Sequence, residues 1–435
     1  MESDLEHISS EMFDTVQFEE QLIRIKKASE EAQNKLDYES AHDDHILLAI
    51  EVVERFLRKK HRICYGGQAI NAYLPAKYKF YHPERSIPDY DFFTPSQEDD
   101  IRIIHNDLKR AGFTEISIRE GMHEGTIKVY VDYIPVADLT VIDPKLYRKL
   151  SQREYRVDGI SYLDASTLRM LMYLELSRPR GEVTRWEKVY ERLMLFNEFV
   201  PIKMCHATSI LLKKRLSFHE TAEIIQFIIE KERIFAGADL VSFYEKAKKT
   251  KHMKWIFSQK KPILFLSPTP LQDAQTLLTG LSASSKSVSI TSYNNKGVDL
   301  IPSVHVLHRG KQPLVIIIEE VACHSYHTVS IKEITTLRVA TLDTLITLYF
   351  SLRFVQTKLF DTGSMECLAN ELVEISMQSR KNSEQFAFPF ISLDCSGHQT
   401  SLPSLIRAKQ KRITEKKEKG KQHTMYHKSM KRRLS

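Results

Sequence analysis

The segment from Cys64 to Phe93 constrains this chain more than any other. At its end Pro88 leads into Asp89-Tyr90-Asp91-Phe92-Phe93, an aromatic run carrying two carboxylates two positions apart. Alternate side chains of a strand share a face, so Asp89 and Asp91 would lie together, with Tyr90 and Phe92 opposite. Two acids held side by side repel each other unless a cation sits between them. Hard oxygen ligands suit Mg2+, which takes one or two carboxylates and completes its shell with water and substrate phosphates. Upstream, Ile63-Cys64-Tyr65 reads as a strand running into Gly66-Gly67, and paired glycines let a backbone approach a phosphate closely. A turn beside an edge strand is the plain structural alternative for Asp-Tyr-Asp.

A third carboxylate is available in Lys128 to Thr140, KVYVDYIPVADLT, at Asp138 or Asp132. Asp138 is preferred because Val136-Ala137-Asp138-Leu139-Thr140 sets a lone acid in an apolar strand, where burying it unpaired would be costly. Asp132 fits a solvated position on a half-exposed strand. Gly-Gly, a gap of about twenty residues and Asp-x-Asp on a strand together resemble the DNA-polymerase-beta-like nucleotidyltransferase superfamily. The stretches YGGQAIN, IPDYDFFTP, VDYIPVADLT, YLELSRPRGEVTRWEKVYERL and LFNEFVP are similar to the poly(A) polymerase catalytic subunits of large cytoplasmic DNA viruses, of the African swine fever virus and mimivirus type. The clear resemblance runs over residues 45–202. It implies that Asp89, Asp91 and Asp138 bind two Mg2+ or Mn2+ ions and that Gly66 and Gly67 lie at the phosphates of ATP. Tyr73 to Glu84 does not align clearly and receives no role.

At 435 residues the chain exceeds one ordinary core, and two or three domains are expected. A chain that is 42% hydrophobic and 27% charged, with no run near eighteen apolar residues, reads as soluble and without a membrane span. The acidic start MESDLEHISSEMF has no signal-peptide pattern. Cysteines 64, 205, 323, 367 and 395 include no CxxC pair, which argues for a reducing compartment and against a zinc or disulfide framework. Charge is concentrated at the end: twelve Lys/Arg against two Asp/Glu lie between Arg407 and Arg433, leaving about −3 for the rest. Such a tail is the footprint of a polyanion partner, or else a solvated extension or localisation signal.

Thr15 to Lys35 and Asp43 to Lys60 have helical period, the second with Ile46, Ile50, Val53 and Leu57 as its apolar stripe. Ser96 to Asp99 resembles a helix-starting box; Ile101, Ile104, Leu108 and Ala111 then form a stripe closed by Gly112. Phe113 to Arg119 and Thr126 to Thr140 read as strands. Helices follow at Ser166 to Ser177 and Trp186 to Phe199, joined by the cation-rich loop SRPRGEVTR. Arg185 and Lys188 are the candidates to reach the triphosphate, with an ordinary charged helix face as the alternative; Trp186 reads as core. Ala207 to Lys249 reads as helix throughout. Lys246 to Lys261 carries seven lysines, no acid, His252 and Trp255, and serves as a linker or a single-stranded RNA contact. From Pro262 a second α/β unit opens, in which Thr344 to Arg353 faintly echoes Thr167 to Leu176. It lacks Gly-Gly before Asp-x-Asp, and Glu319 and Glu320 face opposite ways.

The expected fold is therefore α+β. A polymerase-beta-like nucleotidyltransferase domain (mixed sheet with helices, 43–160) follows a helical N-terminal region (1–42). A helical nucleotide- and RNA-binding region (161–250), a degenerate nucleotidyltransferase-like domain (262–406) and a basic tail (407–435) come next. The resemblance implies template-independent addition of AMP from ATP to RNA 3′ ends, in the host cytoplasm at viral factories, with packaging in the virion left open. A homodimer and a viral processivity partner are both compatible, and no membrane partner is expected. Two alternatives stand beside this reading: a nucleotidyltransferase with another acceptor, and a non-catalytic RNA-binding subunit.

Overall fold

A computed structural model describes residues 15–433 except 83–86, 89, 204, 206–213, 248–256, 285–287, 295–299, 333–334 and 356; of 15–17, 40, 282–284, 332, 335, 385 and 419–433 it describes the backbone alone. The chain runs through helices α1 (Thr15–Ala41) and α2 (Asp44–Lys60), strand β1 (Ile63–Tyr65), α3 (Gly66–Tyr73), β2 (Asp91–Thr94) and α4 (Gln97–Arg110). Then come β3 (Ile116–Glu120), β4 (Thr126–Val131), β5 (Ile134–Val141), α5 (Pro144–Ser151), β6 (Tyr155–Val157), β7 (Ile160–Tyr162), α6 (Ala165–Leu176) and α7 (Trp186–Phe199). The second half holds α8 (Phe218–Glu230), β8 (Ile234–Phe235), α9 (Asp239–Lys246), β9 (Ile263–Ser267), α10 (Pro270–Ser284), β10 (Val288–Tyr293), β11 (Val304–Arg309) and β12 (Gln312–Glu319). It closes with β13 (His324–Lys332), β14 (Thr335–Ala340), α11 (Leu342–Leu352), α12 (Thr362–Lys381), β15 (Cys395–Ser396) and α13 (Leu402–Arg433).

Among the described residues these strands form two mixed sheets, β3-β4-β5-β2-β1-β7-β6 and β10-β11-β12-β9-β8-β14-β13-β15. One face of the first sheet is apolar, with Cys64, Phe92 and Leu139 fully buried, and α2 lays Val53, Phe56 and Leu57 into the same core. Helix α2 is well specified locally. Asp43 caps it by accepting from the His45 and Ile46 amides, and Lys59 and Lys60 sit in its last turn, where the helix dipole favours cations. In α4 the stripe Ile104 and Leu108 is fully buried and Gly112, at φ 102°, follows the end, as the spacing predicted. The starting box does not form. Ser96 makes no side-chain cap: its amide donates to Thr94 Oγ1, and Asp99, the acid of the expected box, accepts from Arg102 instead. Asp132 is not on a strand but in the β4–β5 turn at φ 49°, 2.7 Å from His45 Nε2.

The second sheet repeats the first strand for strand. The pairs β10–β11 and β11–β12 are antiparallel, β12–β9 parallel, β9–β8 antiparallel, β8–β14 parallel and β14–β13 antiparallel, the same sequence of pairings as β3–β4 through β7–β6. The anchoring chemistry repeats as well. Arg62 forks onto Asp100 at 2.7 and 2.9 Å, and Arg233 onto Asp273 at 2.7 and 3.0 Å; Thr94 donates to Asp100 as Ser267 does to Asp273. The residue before each arginine, His61 or Glu232, has a left-handed φ of 50° or 53°. Asp164 caps α6 through the Thr167 amide, and Thr341 caps α11 through that of Thr344. The faint echo of Thr167 to Leu176 in Thr344 to Arg353 is thus the trace of a whole repeated unit. Its first strand is Ile234–Phe235, so the expected helix over 207–249 is interrupted: two β-competent residues pair with both β9 and β14. The lysine-rich stretch with His252 and Trp255 lies largely outside the described residues.

The expectation of a chain without disulfides fails. Cys205 is bonded to Cys367 and Cys323 to Cys395, with Cα–Cα separations of 5.4 and 5.5 Å, leaving Cys64 free and buried. Partners 162 and 72 residues apart leave no mark in local spacing. Next to the second bond, burial and the nearby Arg178 push His324 down to about 3, and burial pushes His327, stacked on Phe388 at 4.8 Å, down to about 4. Each ring is held neutral below its unfolded value near 6.5, so its contribution is complete above pH 6.5 and is lost as pH falls toward 4, at roughly 1.4 kcal/mol per unit. The melting temperature should therefore drop across that window, and His327→Phe should flatten the drop; thermal melts from pH 7 to 4 check it. No helix among the described residues is long and apolar enough to cross a membrane.

Candidate active site

The register of the first sheet assembles a row of charged residues on the face opposite α2. Asp91 pairs with Asp138 across the parallel strands β2 and β5, Asp138 with Lys128 on β4, Lys128 with Arg119 on β3, and Asp91 with Tyr65 on β1. Paired positions point to one face, so the two carboxylates stand side by side about 5 Å apart at the backbone. Tyr90 fixes their approach: it is buried, and its hydroxyl donates to Glu54 of α2 at 2.7 Å. Burial, reinforced by Glu54, raises that hydroxyl's pKa and keeps it protonated. Asp138 is 5% exposed and accepts a hydrogen bond from Lys128 Nζ. Beside the acids Tyr65 stacks on Phe93 at 4.1 Å and bonds Thr140 at 2.9 Å.

Gly66, at φ 71°, opens α3 directly against this pair. A Cβ there would sit 2.5 Å from Asp91 Oδ2, and one on Gly67 would sit 2.8 Å from both Arg192 NH1 and the Tyr81 ring. Tyr65, the residue before the helix, makes no side-chain cap, so the helix N-terminus opens beside the acids without a cap from the preceding residue, a setting that favours a bound phosphate. The acid pair and this glycine-lined cradle fit a divalent cation beside a phosphate: the donors are hard carboxylate oxygens and the Asp91 oxygen occupies space only a glycine leaves. Asp89, the other acid expected here, lies outside the described residues, and among those described no group of three metal-ligating side chains is assembled.

Of the two expected triphosphate cations, Arg185 is engaged by Glu175 and Glu182 at 3.4 and 3.5 Å and is about half exposed. Lys188 is exposed on α7. The cation at the glycines is one the sequence reading passed over, Arg192. Its guanidinium donates to Tyr81 Oη at 3.0 Å and lies 4.4 Å over Phe80. Asn71 of α3 holds that aromatic pair by accepting from both their amides and donating to the Tyr81 carbonyl. The signal available was helical spacing: Lys188 and Arg192 lie one turn apart on one face of α7, just after Arg185 at its start, so a cation one turn beyond Lys188 was a candidate of equal standing. Trp186 is half-buried and donates to the Glu175 carbonyl, which makes it a packing residue, as expected.

The repeated sheet carries none of this. By register, the positions of Tyr65, Asp91, Asp138, Lys128 and Arg119 are held by Ala236, Leu264, Ile316, Val306 and Thr291. Leu264, Ile316, Pro262 and Ala238 line a cavity of about 30 Å3, roofed by Phe360, Met365 and Leu368. At these described register positions the second sheet carries no charge, and Leu264 and Ile316 pack where the first sheet holds its paired carboxylates.

Gly66 offers a direct test of the first site. Gly66→Ala forces a left-handed alanine, costing about 1–2 kcal/mol of stability, and pushes the Asp91 carboxylate aside. A displacement near 1 Å is expected to cost on the order of a hundredfold in kcat. Nucleotide incorporation assays paired with thermal melts separate the two effects.

A mixed sheet carrying in-register aspartates beside an uncapped glycine turn defines a nucleotidyltransferase-class domain. Residues 51–182 match the family model described as the poly(A) polymerase catalytic subunit, in agreement with the resemblance read from the sequence. An African swine fever virus protein (strain Badajoz 1971 Vero-adapted) is 30% identical over 173 residues, 39% of this chain and 36% of its own length. One from Acanthamoeba polyphaga mimivirus is 28% identical over 190 residues, 42% of this chain and 30% of its own. Both are named, provisionally, poly(A) polymerase catalytic subunits. The matches thus span about a third of these relatives. The crystal structure of the Megavirus polyadenylate synthase superimposes with a TM-score of 0.73 at 17% identity, covering 94% of this chain and 84% of that one; at this identity it shows a common fold.

Proposed function

We propose that this protein is a template-independent poly(A) polymerase that transfers AMP from ATP to the 3′ hydroxyl of RNA. One observation carries the reading: Asp91 and Asp138 stand in register on adjacent strands beside an uncapped glycine turn. In the transfer, the 3′ oxygen attacks the α-phosphorus, the bond to pyrophosphate breaks, and the hydroxyl proton is released. Two divalent ions, Mg2+ or Mn2+, would be held by Asp91 and Asp138 with Asp89 and would neutralise charge on the attacking and leaving oxygens. The chain's own share is positional. The Gly66 and Gly67 amides hold the phosphates, and Arg192 with Lys188 balances the charge of the pyrophosphate. Lys128 offsets the repulsion between the carboxylates when Asp138 has no other cation. ATP and RNA as substrates rest on the names of the relatives. The unit boundaries follow the repeat: a catalytic unit around the first sheet, and a supporting unit that starts with α8 rather than at Pro262.

Primer extension with one nucleotide at a time tests the assignment. ATP with an RNA primer should give a ladder of added adenylates. Extension with every nucleotide equally, or transfer to a small-molecule acceptor alone, would replace the poly(A) reading with a different nucleotidyltransferase. Arg192→Ala should raise the KM for ATP about tenfold or more and leave RNA affinity unchanged.

A further inference from the structure

The stretch that follows α3, given no role by the sequence, forms a wall beside the glycine turn. Asn71 staples it in place. Its side chain, 4% exposed, accepts from the Phe80 and Tyr81 amides at 3.0 and 3.1 Å and donates to the Tyr81 carbonyl at 2.9 Å. Earlier in the stretch, the Tyr78 ring lies 4.1 Å from that of Phe199 at the end of α7. Asn71 is one turn past Gly67, so one face of α3 carries both the phosphate turn and the staple. Wall and cation meet at Gly67: a Cβ there would sit 2.8 Å from Arg192 NH1, 2.8 Å from the Tyr81 ring and 2.9 Å from its hydroxyl oxygen.

Arg192 is held there without being neutralised. Its guanidinium lies 4.4 Å over Phe80 and 5.3 Å over Tyr81, and it donates to Tyr81 Oη at 3.0 Å. Aromatic faces and a phenol oxygen orient a cation while leaving its charge in place. Among the described residues no carboxylate is within ion-pairing distance of Arg192; Glu175 feels its field but is bonded to Arg185. Arg185 and Lys128, by contrast, are paired with acids of the chain. A guanidinium kept in that state against a glycine turn is a fork waiting for an anion with several oxygens.

We infer that Asn71 and Tyr81 are positioning residues that hold the Arg192 guanidinium, unneutralised, at the glycine turn and so set the grip on the pyrophosphate half of ATP. Calling that anion pyrophosphate rests on the poly(A) polymerase reading; the placing of the charge does not. Tyr81 fixes direction, because its Oη accepts one N–H of the fork and its ring lies beneath the plane. Asn71 acts one step further back. Without it the wall loses three bonds to α3, and nothing then keeps the Tyr81 ring against Arg192. A long cationic side chain would otherwise have to be ordered at each binding event, and the wall removes that cost beforehand.

The test uses the full chain with Mg2+ and no RNA, titrated calorimetrically with inorganic pyrophosphate and, separately, with AMP, which lacks the outer phosphates. Tyr81→Phe keeps the ring, removes the acceptor and should weaken pyrophosphate binding about fivefold. Asn71→Ala strands two amides and a carbonyl and should weaken it about tenfold. AMP affinity should be unchanged in both, a split that general damage to the domain would not give. Coupling decides the mechanism. In the Arg192→Ala background neither substitution should weaken pyrophosphate further, since both act through that guanidinium. Should Asn71→Ala fail to fold, Tyr81→Phe and Y81F/R192A carry the test. Additive losses in the double variants, parental pyrophosphate affinity in Tyr81→Phe, equal losses for AMP, or no pyrophosphate binding by the parent would each overturn the assignment. No nucleotide is turned over in these titrations. The expected pattern without an adenylate ladder in primer extension would therefore sink the poly(A) reading and leave the positioning role standing.

Discussion

Asp91→Asn and Asp138→Asn are each expected to reduce AMP incorporation by three orders of magnitude or more while leaving the melting temperature within a few degrees of the parent. The expectation follows from what the two positions share. They are paired in register, they face the side of the sheet away from the core, and each substitution keeps shape while removing a ligand charge. A thousandfold loss corresponds to about 4 kcal/mol of transition-state stabilisation, which is reasonable for a lost ligand in a site whose chemistry is charge neutralisation. The repeated sheet supplies an internal control. Leu264 and Ile316 occupy the same register positions, so Leu264→Ala should lower the melting temperature through its cavity and leave kcat untouched. Steady-state incorporation into an RNA primer decides it. Near-parental extension by either aspartate variant would remove the basis of the enzymatic reading.

Arg380→Ala is expected to be the most damaging single substitution for stability, costing about 3–5 kcal/mol. Arg380, in the last turn of α12, donates to Asp343 in the first turn of α11 at 2.5 Å, both side chains being almost wholly buried. The same guanidinium lies over the rings of Tyr173, Tyr190 and Phe390 at 5.3–5.7 Å, so it also ties the second unit to the helices that follow the catalytic sheet. Burial already holds the Asp343 carboxyl above its ordinary range, with Arg380 opposing the shift. Without Arg380 the folded pKa rises further. A raised carboxyl contributes fully below its unfolded pKa and loses that contribution as pH rises. The deficit of the variant relative to the parent should therefore be largest at neutral pH and shrink toward pH 4. Asp343→Leu with Arg380→Met should recover much of the loss, since neither charge is then stranded. Denaturant or thermal unfolding of the three proteins at pH 7 and 4.5 measures both effects.

Legibility of the site tracked how local its signals are. Gly66-Gly67 after an apolar triplet, and a lone Asp138 inside an apolar strand, each declare themselves within about five residues, and the structure brings Gly66, Asp91 and Asp138 together. Arg192 was missed because nothing in its own stretch distinguishes it from the other cations of α7. Only the Phe80–Tyr81 pair and Gly67, over a hundred residues earlier, single it out. Asp132 was misplaced because alternation continued through a two-residue turn, where two positive φ values reverse the chain with no Gly or Asn present to announce it.

Taken alone, the sequence determined the α+β class, the helix stripes of α2 and α4, the glycine turn and the placing of Asp91 and Asp138 on strands of the first sheet. All of these are set by side-chain period and residue type over a few turns. Tertiary structure decided the rest: that the second sheet repeats the first strand for strand from Ile234 onward, that its former site is packed with Leu264 and Ile316, and which cysteines join. Strand pairing is a backbone interaction that tolerates almost any side chain. A duplicated fold can therefore keep every pairing and the Arg233–Asp273 fork while its sequence drifts beyond recognition, and contacts made across hundreds of residues leave no period to read.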